Sequence, residues 1–352
     1  MDSRKFIIRA AVLIVLLAFV LMIPYGTYSL AAGSRLYGSA REYTAAAISK
    51  DGWPDGSDDA VLVNGYTFAD ALAAGPLAKL LDAPILLTRK DVLPRVTKDE
   101  MDRLGVKVVY IIGGTGVVSY DVERAIDKSS ERVAGRDRYQ TAVAVAQKMR
   151  ALGASADEVI LARSDDYADA LAAAAVPQAV PILFAGPKNA KSLHPITASA
   201  LGALGAESII VAGGTTAVSD EAAAGARKII GMPHVPIRLS GKTRYETALA
   251  VADYFKPRGG YKGAVLATGS DFADALVSGP YAAKKGYALI MVNNKSANDP
   301  LSDTARSFIK ANTDIETDDV IVLGGSKVVP DKAVSDAVEA AAANELNVID
   351  VY

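Results

Sequence analysis

Apolar residues form two kinds of run along this chain. Short runs such as Ala60–Val63, Ile85–Leu87 and Val108–Ile112 are rich in Val, Ile and Leu and lie next to turn residues. Between them come Ala-rich stretches of helical length. The short runs predict buried strands and the Ala-rich stretches helices, an alternation that calls for an α/β fold with parallel sheets. One run is different. Ala10 to Ile23 is uninterrupted and apolar, is preceded by Arg4, Lys5 and Arg9, and is followed by small residues including Ser29 and Ala31. That is the layout of a secretory signal, with cleavage expected after Ala31. Its 14 residues are fewer than the ~20 needed to span a bilayer. The competing reading is an uncleaved anchor over residues 6–25 with Arg9 snorkelling to the interface. Either outcome places residues 35 onward outside the membrane.

Beyond the leader the pattern repeats three times. The first landmark reads RLYGSAREYTAA from Arg35, RVAGRDRYQTAV from Arg132 and RLSGKTRYETAL from Arg238. The second reads TFADALAAGP from Thr67, DYADALAAAA from Asp166 and DFADALVSGP from Asp271. The third is an apolar run ending in Gly113-Gly114, Gly213-Gly214 or Gly324-Gly325. Order is kept, and the repeats start 97 and 106 residues apart. The expected domains are a signal at 1–31 and three βα modules at 35–131, 132–237 and 238–352, packed directly on one another without linkers, as a pseudo-threefold arrangement would allow.

Composition narrows the function. The chain has no cysteine, so disulfides, thiolate metal sites and cysteine nucleophiles are excluded. Its two histidines, His194 and His234, lie near prolines and do not recur between repeats. They read as loop residues, and neither a metal site nor a cofactor is expected. Removing the leader leaves 35 Lys and Arg against 39 Asp and Glu, about −4. That balance speaks against nucleic acid as a partner, and any anion must be held by local groups.

Candidate chemistry rests on what recurs. Arg41, Arg138 and Arg244 follow a glycine turn and open a helix, where the macrodipole disfavours a cation by roughly 0.3–1 kcal/mol. Two compensations are open: an ion pair with the aspartate of the second landmark in the same or the neighbouring repeat, or an external anion held jointly by the guanidinium and the helix N–H groups. Thr44, Thr141 and Thr247 follow on the same helix turn. Asp70, Asp169 and Asp274 stand three residues after Thr67, Asp166 and Asp271, the spacing of a capping box. The alternative is that these carboxylates face a ligand. The tyrosines Tyr43, Tyr139 and Tyr245 read as core or as sugar-stacking platforms, with Tyr43 displaced by one position. The leading Arg35, Arg132 and Arg238 read as strand-edge or interface residues. The Gly-Gly pairs read as tight turns and complete no phosphate-loop motif.

Taken together, R-x-x-G-x-x-R-Y-x-T-A, [FY]-A-D-A-L, P-I-L and apolar-G-G resemble the cell wall-binding repeat type 2 family of Gram-positive bacteria, over about residues 35–352. The resemblance implies three Rossmann-like or Toprim-like modules packed as a pseudo-trimer. It also implies non-covalent anchoring to an anionic secondary wall polymer or peptidoglycan-associated glycan, with Arg41, Arg138, Arg244, Thr44, Thr141, Thr247, Asp70, Asp169 and Asp274 as the candidate binding set. The anchoring element corresponds to Pro84-Ile85-Leu86-Leu87 and Pro181-Ile182-Leu183-Phe184, while the third repeat has Ala288-Leu289-Ile290-Met291 and no proline. Relatives usually join such repeats to an effector domain, for which 35–352 leaves no room, so a stand-alone wall binder or a partner of a wall-active enzyme is expected. No catalytic constellation recurs. A catalytic wall-remodelling role and a structural surface-layer role are the alternatives.

Overall fold

The computed structural model describes residues 34–296, 298–312 and 319–349. The expected leader, its cleavage position and the anchor over 6–25 lie outside the described residues. Among the described residues no helix is long and apolar enough to cross a membrane.

Three four-stranded, wholly parallel sheets form the framework. The first contains β2 (Asp59–Asn64), β3 (Ile85–Thr88), β4 (Val108–Ile112) and β5 (Ser129–Val133), in the order β3-β2-β4-β5. The second contains β6 (Glu158–Arg163), β7 (Ile182–Gly186), β8 (Ser208–Ala212) and β9 (Ile237–Leu239), in the order β7-β6-β8-β9. The third contains β10 (Gly263–Thr268), β11 (Tyr287–Val292), β12 (Val320–Leu323) and the N-terminal β1 (Arg35–Leu36), in the order β11-β10-β12-β1. The runs Ala60–Val63, Ile85–Leu87 and Val109–Ile112 are buried, as strands covered on both faces must be.

The edge strand that carries each leading arginine belongs to the sheet of the repeat before it. Arg132 on β5 is in register with Ile111 of the first sheet, and Arg238 on β9 with Val211 of the second. Arg35 on β1 is in register with Val322 of the third, so the start of the chain closes the ring. The helix that follows then packs on the next sheet. α1 (Arg41–Gly52) covers β3, α5 (Arg138–Ala151) covers β7 and α9 (Arg244–Tyr254) covers β11. The outer helices are α3 (Arg95–Leu104), α4 (Tyr120–Ala125), α7 (Pro195–Leu204), α8 (Asp220–Ile230), α11 (Asp303–Ala311) and α12 (Asp331–Ile349).

The Ala-rich second landmark forms the centre. A 3-10 turn over Ala71–Ala73 leads into α2 (Ala74–Leu80), and its counterparts are α6 (Ala168–Ala174) and α10 (Ala273–Lys285). These three helices pack on one another. Equivalent residues meet there, which identifies the pseudo-threefold axis. Phe68, Tyr167 and Phe272 form a triangle of ring contacts with centroids 5.7, 5.9 and 6.2 Å apart. Seven residues further on, Gly75, Ala174 and Gly279 meet. A Cβ on Gly75 would lie 2.7 Å from the Ala174 Cβ, and one on Gly279 would lie 2.8 Å from the Ala174 carbonyl oxygen. The axis therefore has room for a single methyl group at this level.

The P-I-L elements are β3 and β7, and the prolines suit their positions. Pro84 and Pro181 supply only carbonyls, to Val61 N and Ile160 N, at edge strands where a missing donor costs nothing. In the third sheet the corresponding residue is Ala288, which lies inside β11 in register with Ala264.

Substituting Gly75 or Gly279 by Val is expected to destabilise the protein by about 2 kcal/mol or more through overpacking, whereas Ala174→Gly, which only removes a methyl, is expected to cost about 1 kcal/mol. Urea unfolding followed by circular dichroism reads the ranking; equal losses in all three would show that the helices do not meet as closely as described.

Candidate seams between the repeats

Each crossing from one sheet to the next makes a seam, and the recurring residues collect there. The chain leaves the edge strand, turns at Gly38, Gly135 or Gly241, and starts a helix on the neighbouring sheet. The turn presses so closely on the helix that a Cβ on these glycines would fall 2.1–2.2 Å from the Cβ of Tyr43, Gln140 or Glu246. Thr44, Thr141 and Thr247 hold the turn. Each is buried, and each hydroxyl accepts from the glycine N–H at 3.1 Å. Asp137 and Thr243 cap α5 and α9 through their side chains, while Ala40 at the start of α1 offers none.

Arg41, Arg138 and Arg244 find their compensation inside the fold. Nη1 of each donates to the carbonyl at the end of its own repeat's first buried strand, on Gly65, Ser164 and Gly269 respectively. Each guanidinium also lies near the central aromatic triangle, Arg41 at 5.7 Å from Phe272, Arg138 at 5.9 Å from Phe68 and Arg244 at 5.2 Å from Tyr167. The carboxylate partner comes from the preceding repeat. It is the first residue of the second landmark: Arg41 pairs with Asp271 and Arg244 with Asp166, both at 3.4 Å. Among the described residues Arg138 forms no ion pair, because Thr67 stands in the corresponding place.

Asp70, Asp169 and Asp274 do not close a capping box. Their carboxyl groups lie against the first glycine of the Gly-Gly pair, where an added Cβ would come 3.1, 2.5 and 2.8 Å from Oδ2. Gly113, Gly213 and Gly324 also have φ of 108°, 107° and 101°, a conformation glycine adopts without penalty. This crevice lies at the carboxyl ends of β2 and β4 and their counterparts, where successive connections depart to opposite sides of the sheet, the usual ligand edge of such folds. Burial raises all three carboxyl pKa values, those of Asp169 and Asp274 to about 6. Asp166 and Asp271 add to the rise at those two seams, against the opposing pull of Arg163 and Arg244 on Asp169 and of Arg41 on Asp274. At Asp70 the Thr141 hydroxyl and Arg138 oppose the rise, while Asp137 adds to it.

The seam between repeats 3 and 1 opens into a pocket of about 310 Å³, whose lining includes Arg41, Thr44, Asp271, Asp274, Asn294 and Gly325. Guanidinium, carboxylates, amide and loop backbone together offer donors and acceptors of the kind that hydroxyl-rich or anionic groups need. Among the described residues no group of three or more His, Asp and Glu is placed to hold a metal ion.

The other recurring residues are structural. Arg35, Arg132 and Arg238 bind the Gly-Gly loops by donating to the carbonyls of Gly324, Gly113 and Gly213 at 2.7–3.0 Å, and pair with Asp331, Glu123 and Asp220. Tyr139 stacks on His194 with ring centroids 3.6 Å apart and shares a hydrogen bond with Ser164 Oγ at 2.7 Å. In repeat 1 the tyrosine is displaced by one position. Glu42 fills the place of Tyr139, is 2% exposed, and accepts from Tyr66 Oη at 2.9 Å and Arg89 Nε at 3.3 Å. Tyr43 is turned outward, half exposed. Tyr66 and Arg89 carried no sequence signal, since neither recurs.

The raised carboxyls set a sign for pH dependence. A folded-state pKa of about 6 above the ordinary ~3.9 means that the folded protein binds more protons, so these two groups lower stability as pH rises from about 4 to about 6. Asp169→Asn with Asp274→Asn is therefore expected to be more stable than the unmodified protein at pH 7, by up to about 5 kcal/mol for two shifts of about two units each, with the difference vanishing below pH 4. Thermal melts across pH 3.5–7.5 read this, and a difference independent of pH would contradict it.

The same architecture occurs in known proteins. Cell wall binding domain 2 (CWB2) matches at residues 35–123, 132–223 and 238–334. The N-acetylmuramoyl-L-alanine amidase LytC of Bacillus subtilis (strain 168) is 34% identical over 310 residues, 86% of this chain and 58% of that protein. The amidase enhancer of the same organism is 28% identical over 282 residues, 78% of this chain and 37% of that protein. The chain thus spans little more than half of one relative and about a third of the other. Among solved structures, Cwp6 from Clostridium difficile superposes with a TM-score of 0.74 at 28% identity, covering 87% of this chain and 47% of that one. Three matched repeats built as three parallel sheets leave one assignment: the chain belongs to the Cell wall binding domain 2 family.

Proposed function

We propose that the chain anchors itself non-covalently to the wall by gripping an anionic, carbohydrate-containing polymer in the seams between its repeats. The observation that carries this reading is the recurrence, at the ligand edge of all three sheets, of a forked arginine, a partly desolvated aspartate and an open Gly-Gly loop. In this reading Arg41, Arg138 and Arg244 supply the donors, Asp70, Asp169 and Asp274 accept from polymer hydroxyls, and Thr44, Thr141 and Thr247 keep the turns in shape. In this reading the chain acts as a binder, with its recurring arginines and carboxylates serving to hold the polymer. A leader over residues 1–31 would deliver it to the wall. The two Bacillus subtilis relatives are an amidase and an amidase enhancer, which makes a wall-active enzyme a reasonable partner.

Sedimentation with purified Gram-positive walls tests the reading. Retention is expected to fall as salt is raised, because exposed charge interactions are screened, and to fall at least fivefold on walls stripped of phosphate-linked polymers by hydrofluoric acid. The triple variant Arg41→Gln, Arg138→Gln, Arg244→Gln, with a circular dichroism spectrum like that of the unmodified protein, is expected to lose retention. Equal binding to native and stripped walls would remove the polymer from the proposal.

A further inference from the structure

The three seams differ in how their arginine is neutralised. Between repeats 2 and 3, Asp166 lies 3.4 Å from Arg244 and 3.7 Å from Arg163, which is also paired with Asp165. Between repeats 3 and 1, Asp271 lies 3.4 Å from Arg41. In both, a second carboxylate, Asp169 or Asp274, faces the same arginine. Between repeats 1 and 2 the pairing aspartate is replaced by the exposed Thr67. Arg138 keeps its carbonyl contact with Ser164 and its place over Phe68, and the carboxyl that acts on it across the seam is that of Asp70, 9% exposed and raised in pKa by burial. The flanking Arg136 and Asp137 are exposed and cancel one another in charge, and Asp137 is engaged in capping α5.

A half-buried guanidinium with one nitrogen anchored and no ion pair among the described residues is preorganised for an oxyanion. At the other two seams an incoming anion would have to displace an aspartate and face a second one. Resting on the polymer-binding reading above, we infer that the seam between repeats 1 and 2 is the principal site for the anionic group of the polymer, with Arg138 as its forked donor and Thr67 as the residue that leaves the donor free. Arg41 and Arg244 are latched by Asp271 and Asp166 and serve first to hold the ring together.

The test exchanges the distinguishing residue between seams, with binding isotherms on purified Gram-positive walls as the readout. Thr67→Asp supplies the missing latch and is expected to weaken binding about tenfold, with folding intact because the position is exposed. Arg138→Gln is expected to do the same, and Arg138→Lys, which keeps the charge without the fork, to lose less. Asp271→Thr frees Arg41 and is expected to strengthen binding about threefold. Stripping with hydrofluoric acid separates the two sources of the anionic group: loss of the Arg138 effect on stripped walls assigns it to phosphate, and its persistence assigns it to wall carboxylates. A folded Thr67→Asp protein that binds as tightly as the unmodified one overturns the inference, as does a folded Asp271→Thr protein that binds more weakly. Failure of the unmodified protein to bind any wall would instead overturn the polymer reading itself.

Discussion

The backbone hydrogen bonds of each leading strand are satisfied by the sheet of the preceding repeat, and the rest of the structure depends on this. A two-residue strand such as β1 has little stability alone. Paired with β12, and fixed by Arg35 to the Gly324 and Val329 carbonyls, it becomes the piece that completes the third sheet. No repeat is then self-sufficient, because each gives its leading strand to the sheet behind it and receives one from the repeat that follows in the ring. The ring is closed by the same bonds that close its sheets.

Crossing between sheets forces the chain through a tight turn, and the turn decides where the chemistry goes. Its glycine lets the helix start close to the preceding strand, its threonine fixes that approach, and the arginine that follows is left at the ligand edge of two sheets at once. A cation at a helix start is tolerated because a strand carbonyl, an aromatic face and, at two seams, an aspartate surround it. The buried carboxyls beside the Gly-Gly loops have raised pKa values for the complementary reason: space at the carboxyl ends of the strands is shared between two modules, and water has limited access to it.

Pseudo-symmetry is held at the axis by size and relaxed at the seams by charge. At the axis, equivalent helices come within a methyl group of each other, so the Phe68, Tyr167, Phe272 level and the Gly75, Ala174, Gly279 level permit little variation. At the seams polar groups can exchange partners, and changes such as the exposed Thr67 for aspartate or the buried Glu42 for tyrosine are absorbed. Repeat 1 absorbs both, the second by bringing in Tyr66 and Arg89 around the buried Glu42 carboxylate.

The sequence by itself determined the strands, the helices, the triplication and the family, because buried parallel strands, Ala-rich helices and glycine turns each leave a local signature that survives repetition. It also singled out Arg41, Arg138, Arg244 and the aspartates as residues gathered at one kind of place. It could not say that Arg35 completes the third sheet, that Arg41 reaches Asp271 across 230 residues, or that Asp70, Asp169 and Asp274 lie against glycines and do not cap their helices. Those facts are decided by which surfaces meet when three repeats close into a ring. Local propensity sets the elements, but partner choice across a seam is a property of tertiary packing, fixed by shape at the axis and by the single strand that each repeat gives to its neighbour.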